Sequence, residues 1–151
     1  MRVTATKTVP GRPEQVFDRV ADLSRMPELS PECVNVEWVK GDGSGIGDQF
    51  KGWNRIGPAG WWTNGWIIER ARPGRLVVET STIYGERNEP TNRWTYEFQE
   101  IPDGTRVVER LDTLRLPIHL RALGPFLLVR WLQLKFGMNR TLSHLARELA
   151  K

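Results

Sequence analysis

The chain has 151 residues, 39% of them hydrophobic and 26% charged, and a formal net charge of +4. That is ordinary globular composition for a single domain over residues 1–151, long enough to bury roughly 68–70% of its unfolded surface without covalent staples. One cysteine, Cys33, excludes an intrachain disulfide. Lys and Arg interspersed with Asp and Glu argue against a nucleic-acid groove, and the lack of an apolar leader or a long apolar run predicts a soluble, cytoplasmic protein.

Residues 2–9 alternate and are rich in β-branched side chains, the pattern of a first strand. Pro10 and Gly11 break it. Pro13 and Glu14 suit the first turn of a short helix with Val16, Phe17 and Val20 inward, and Asp22 or Ser24 is placed to cap a second one, stopped near Pro27 and Pro31. Residues 33–40 predict a strand with Val34, Val36 and Trp38 on one face, followed by a glycine-rich hairpin loop over 41–45. Further strands are expected at 48–55, 61–70, 76–83, 92–99 and 105–112, with Asp103-Gly104 the strongest turn signal. Residues 120–151 read as one long helix. Leu127, Trp131, Leu134, Met138, Leu142, Leu145 and Leu149 form its apolar stripe, and Arg130, Gln133, Gly137, Arg140, His144, Arg147 and Lys151 a second stripe roughly opposite.

Strands joined by short turns are antiparallel, and a sheet of about seven strands has a face to cover. The long helix is the one element able to cover it. The expected fold is therefore α+β: a seven-stranded curved antiparallel sheet gripping a long C-terminal helix, with two short helices after strand 1 and a cavity between sheet and helix.

Several stretches carry a resemblance. They are Val9-Pro10-Gly11-Arg12-Pro13-Glu14-Gln15-Val16-Phe17, Val20-Ala21-Asp22-Leu23, Gly47-Asp48-Gln49-Phe50, Pro73-Gly74-Arg75-Leu76, Trp94-Thr95-Tyr96-Glu97-Phe98, Gly104-Thr105-Arg106-Val107-Val108-Glu109 and Thr141-Leu142. In order and over essentially the whole chain, they resemble the START-like (SRPBCC, helix-grip) superfamily, most closely its polyketide cyclase/dehydrase-like branch. The resemblance implies this fold and the binding of apolar or aromatic small molecules, lipids included, in the central cavity. It implies no particular chemistry, because such folds serve carriers, receptors and cyclases alike.

Alternation nominates the site. Trp94, Tyr96 and Phe98 share a face, which places Val107, Glu109 and Leu111 inward on the next strand and Phe50, Gly52 and Asn54 inward on another. On residues 61–70 the expected inward set is Trp62, Asn64, Trp66 and Ile68, because Glu69 favours solvent. From the helix, Trp131, Leu134 and Met138 should reach the ligand, with Trp131 facing Trp94 and Tyr96. Five of the seven tryptophans fall between residues 53 and 94. Any one of them fits plain core filling, and the group fits an aromatic-lined pocket. Glu109 is the candidate general acid or base, and Tyr96 and Asn54 are placed to polarise a carbonyl. The competing reading pairs Glu109 with an inward arginine or turns it to solvent at a bulge, and gives Tyr96 a backbone partner.

No nucleophile, metal or cofactor motif accompanies these residues. Cys33 has no nearby histidine in sequence, and His119 and His144 lack ligand spacing, with His144 expected in solvent. No cofactor and no metal are expected. Leu123, Phe126, Leu127 and Leu128 exceed what one buried face needs, which leaves a cavity mouth, a membrane contact, a homodimer contact and a buried helix start as open alternatives.

Overall fold

The computed structural model describes residues 1–82, 89–115 and 124–151. Seven strands form one antiparallel sheet: β1 (Arg2–Val9), β2 (Cys33–Lys40), β3 (Gln49–Ile56), β4 (Ala59–Ala71), β5 (Arg75–Thr82), β6 (Asn92–Ile101) and β7 (Gly104–Thr113). Their order is β1-β7-β6-β5-β4-β3-β2, so β2 to β7 run as a meander and β1 closes the far edge against the last strand. Helix α1 (Pro13–Ala21) and a short 3-10 helix, Leu23–Glu28, carry the chain from one edge of the sheet to the other. Helix α2 (Gly124–Leu149) lies along the concave face and packs most closely on β1. This is the α+β grip expected from the strand and helix pattern. The expected helical residues 120–123, together with Ile83, His119 and Leu123, lie outside the described residues.

Local chemistry accounts for the elements. Pro13 opens α1, where a missing N–H costs nothing. The expected side-chain cap at Asp22 does not form. Asp22 is shared with the end of α1, its N–H bonding to the Asp18 carbonyl, and Ser24 Oγ donates to the Asp22 carboxylate at 2.7 Å. Pro27 sits inside the 3-10 helix rather than ending it. In the loop between β2 and β3, Asp48 Oδ2 accepts from the N–H groups of Gly43 (2.9 Å) and Gly45 (3.1 Å). Gly43 has a positive φ of 91°, and the Trp38 indole occupies the space a Cβ would need.

The inward face divides along the strands into a packed end and a hollow end. At the packed end Val107 of β7, Phe98 of β6 and Leu76 of β5 meet Phe17 of α1 and Leu142 and Leu145 of α2, all buried. Phe17 and Phe98 meet edge to face at 5.5 Å. Each such side chain contributes on the order of 1.5–3 kcal/mol through burial. Two residues further along the same strands, the inward positions become Glu109, Tyr96 and Val78, and these line a cavity.

Candidate functional site

The cavity holds about 780 Å³ between the sheet and the stretch of α2 from Phe126 to Thr141. Its floor is Trp94 and Tyr96 of β6 with Glu109 and Leu111 of β7. One wall is Phe50, Gly52 and Asn54 of β3 with Trp61 and Thr63 of β4; Leu134, Met138 and Thr141 of α2 form the roof. The size suits a drug-sized organic molecule.

The polar centre of the floor is a pair of side chains opposed across β6 and β7. Tyr96 is in register with Glu109, and its hydroxyl donates to Glu109 Oε1 at 3.0 Å. The other oxygen, Oε2, is buried without a hydrogen-bond partner in the protein. Glu109 is 2% exposed. Burial, opposed by the Tyr96 hydrogen bond, pushes its carboxyl up to about 8. Burial first, and then the neighbouring carboxylate, raises the Tyr96 phenol well above its ordinary value. At neutral pH the pair therefore holds its protons and presents a neutral acid beside a neutral phenol. The competing reading, an arginine partner for Glu109, is not what the structure contains: its partner is Tyr96.

The rim is differently built. Arg130 of α2 makes a bidentate pair with Glu32, at 2.8 and 3.0 Å, and its guanidinium lies 5.6 Å from the centre of the Trp61 ring. Arg130, Glu32 and Trp61 all line the cavity, and they join helix, loop and β4 on one side of its mouth. Arg115, paired with Glu89, lines it as well. Cys33 also faces the cavity, and burial pushes its thiol up to about 11, so it stays protonated and unreactive at neutral pH.

Several sequence expectations need correction. Trp62, Asn64 and Trp66 do not line the cavity; the inward residues of β4 are Trp61, Thr63, Gly65 and Ile67. Glu69 does face solvent, but a bulge between Ile67 and Glu69 adds one residue there and reverses the faces on the side toward Trp61. Trp62 instead packs against Trp53 on the outer face of the sheet, ring centres 4.8 Å apart and planes tilted by 51°, with the Lys51 ammonium 5.9 Å from its ring. Ile68 is exposed for the same reason. A bulge between Cys33 and Asn35 likewise turns Val34 outward and brings Cys33 in. Phe98 is inward but belongs to the packed end, against Phe17.

On α2, Leu134 and Met138 line the cavity, whereas Trp131 does not. Trp131 sits half-buried over the start of β1, its indole N–H donating to the Arg2 carbonyl at 3.0 Å, and so it does not face Trp94 and Tyr96. The helix is rotated so that two small residues, Gly137 and Thr141, point inward, and that rotation carries Trp131 to the flank. Gly137 and Thr141 are one turn apart, a signal the apolar count passed over. His144, expected in solvent, is half-buried with Nδ1 2.7 Å from the Leu29 carbonyl oxygen. A carbonyl only accepts, so this nitrogen carries the proton.

Among the described residues no group of His, Cys, Asp and Glu could hold a metal ion, and no helix is long and apolar enough to cross a membrane.

Comparison with known proteins matches this architecture over its whole length. A family model described as polyketide cyclase/dehydrase and lipid transport matches residues 1–150. Among solved structures, TTHA0849 from Thermus thermophilus is 19% identical, with 99% of this chain and 97% of that one covered and a TM-score of 0.75. The Polyketide_cyc-like protein Cgl2372 from Corynebacterium glutamicum is 20% identical, with 99% and 91% covered and a TM-score of 0.62. DynU16, from the dynemicin biosynthetic locus, is 16% identical with a TM-score of 0.68; 99% of this chain aligns with 47% of that one. At these identities the likeness shows the fold. No curated protein matches the chain.

Proposed function

The chain belongs to the polyketide cyclase/dehydrase and lipid transport family, and from that premise we propose that it binds a flat, largely apolar small molecule, aromatic or polycyclic, between the sheet and α2. The observation that carries this reading is the hollow end of the grip. About 780 Å³ is left open where the same strands and helix, a few residues away, are closely packed. Trp94, Trp61 and Phe50 line the cavity with aromatic surface suited to a planar ligand, and Leu134 and Met138 line it from α2. Native mass spectrometry of freshly purified protein, with tryptophan-fluorescence titration against flat apolar compounds such as anthracene, tests it. Quenching that saturates at one ligand per chain is expected. No quenching by any compound of the panel, and no co-purified mass, would defeat it.

A second reading is favoured by the Tyr96–Glu109 hydrogen bond. A protonated carboxyl beside a phenol at the floor of an apolar cavity suits proton transfer at an enolisable ketone, the chemistry of a cyclase, aromatase or dehydratase. In that role Glu109 gives or takes the proton and Tyr96 polarises the carbonyl. Asn54, the other candidate donor, lies on the opposite wall and spends one N–H on Thr63 Oγ1 at 3.3 Å. The biosynthetic locus of DynU16 supports the same reading by likeness of fold. It is tested by exchange of the α-protons of α-tetralone in deuterated buffer. The protein should accelerate exchange, and Glu109→Gln should lower the rate by about a hundredfold or more. Equal rates for both proteins would leave binding alone.

A further inference from the structure

The first half of α2 is apolar on two sides. Its inner side roofs the cavity. Its outer side leaves Phe126, Leu128, Val129, Leu132 and Phe136 exposed by 68, 62, 53, 54 and 63%. Leu128, Leu132 and Phe136 fall on successive turns, so they form one line along the helix, with Val129 beside it. Single exposed apolar residues are common and need no cause, but five on one stretch of helix form a contiguous patch, which soluble surfaces seldom carry without a partner.

Charge selects among partners. Between Gly124 and Arg147 the helix has no carboxylate; it carries Arg130, Lys135, Arg140 and Arg147. Arg130 is held by Glu32 and Lys135 by the Thr4 carbonyl. Arg140 makes no ion pair among the described residues and lies 5.6 Å from the Phe136 ring centre, a cation at the end of the apolar line. A two-fold dimer through this face would bring together two chains of net charge +4 along a helix stretch that holds cations and no carboxylate between Gly124 and Arg147. An anionic lipid surface matches both parts: the apolar line enters the acyl boundary and the cations meet the headgroups. The patch is also continuous with the cavity, because Phe126 and Val129 belong to both.

We infer that the outer face of α2 docks on an anionic lipid bilayer, which sets the rim at Phe126 and Val129 against the membrane. The purpose of such docking, exchange of an apolar ligand with the bilayer, rests on the binding function proposed above; the docking itself does not.

Sedimentation of the full chain with phosphatidylcholine vesicles, with and without phosphatidylglycerol, tests it. Binding should require phosphatidylglycerol and weaken as salt is raised. The double substitution Leu132→Ser with Phe136→Ser should lower binding by about tenfold or more, and Arg140→Gln by about fivefold. These side chains are exposed, so thermal unfolding should match the wild type, which separates lost docking from lost fold. No sedimentation with either vesicle overturns the inference, as does undiminished sedimentation of the double variant. A dimer in equilibrium ultracentrifugation that the double variant dissociates also overturns it, and gives the face to a second copy. Anthracene quenching in vesicle-free solution reads the cavity independently of docking. Its loss would tell against the binding function, and unchanged quenching in a variant that no longer sediments is the pattern the inference expects.

Discussion

The two walls of the cavity were written in the same code and obey it differently. Strands β6 and β7 pair in unbroken register, and their alternating residues face as simple period-two reading requires: Trp94, Tyr96, Glu109 and Leu111 all turn inward. Strands β2 to β4 carry register shifts near Val34, Val39 and Ile68, and there the side chains of Val34, Trp62, Asn64 and Trp66 fall on the face opposite to expectation. A bulge costs little backbone pairing but exchanges the two faces of everything beyond it. The consequence is chemical. The regular wall holds the buried acid and phenol, and the bulged wall supplies aromatic surface and the arginine-gripped rim.

The largest expected effect lies on the regular wall. The Glu109 carboxyl is pushed up to about 8 when folded and ionises at the ordinary carboxylate value when unfolded. Between those values the folded chain holds a proton that the unfolded chain has released, so the contribution of this carboxyl to stability is full at acid pH and falls as pH rises toward about 8. Glu109→Gln should remove that slope. Near pH 9 it should unfold with a free energy higher by a few kcal/mol than the wild type, and near pH 5 the two should agree. Chemical denaturation at both pH values checks this, and parallel curves would mean that the carboxyl is not buried as described.

The next effect is on the bulged wall. A Cβ at Gly65 would overlap the Phe50 ring, which is itself wedged edge to face against Trp38 at 5.6 Å. Gly65→Val should therefore push Phe50 into the cavity, cost about 1–3 kcal/mol of stability and weaken anthracene binding. If Gly65 faced outward, as the uncorrected phase requires, ligand affinity would not move.

Paired tryptophan substitutions compare the walls directly. Trp94→Ala should lower anthracene affinity by about tenfold, equivalent to ~1.4 kcal/mol, while Trp62→Ala should change it less than about twofold. Equal losses would restore Trp62 to the cavity and erase the distinction. The smallest effect is at Cys33. Its raised thiol value predicts slow alkylation by iodoacetamide near pH 7, accelerating as pH climbs toward about 11, and further slowed by bound ligand because Cys33 lines the cavity.

Legibility followed the same divide. Strand and helix periods, proline and glycine breaks, and the turn at Asp103-Gly104 were local signals and located every described strand to within a few residues. The Tyr96–Glu109 juxtaposition needed only alternation and the two-residue turn that sets the register of β6 on β7. Trp61 could not be distinguished from Trp62 in the same way, because both are tryptophans at adjacent positions and the deciding bulge is made by pairing with β5. Arg130 is legible in the sequence only as part of the stripe opposite the apolar one, and its grip on Glu32 joins positions 98 residues apart. The inward turn of Gly137 and the sideways turn of Trp131 depend on how closely α2 approaches the elements around it. Pro31 comes within van der Waals reach of a Cβ placed at Gly137.

By itself, the sequence determined that this chain makes one antiparallel sheet closed over by one long amphipathic helix, since hydrophobic period and turn chemistry act over a few residues and need no partner to be read. Tertiary structure alone decided where the grip is packed and where it is hollow, which tryptophans enter the hollow, and that Glu109 sits there with a proton and without a cation. Those outcomes depend on register shifts, on the rotation of α2, and on desolvation, all of which arise from elements distant in the chain meeting in space.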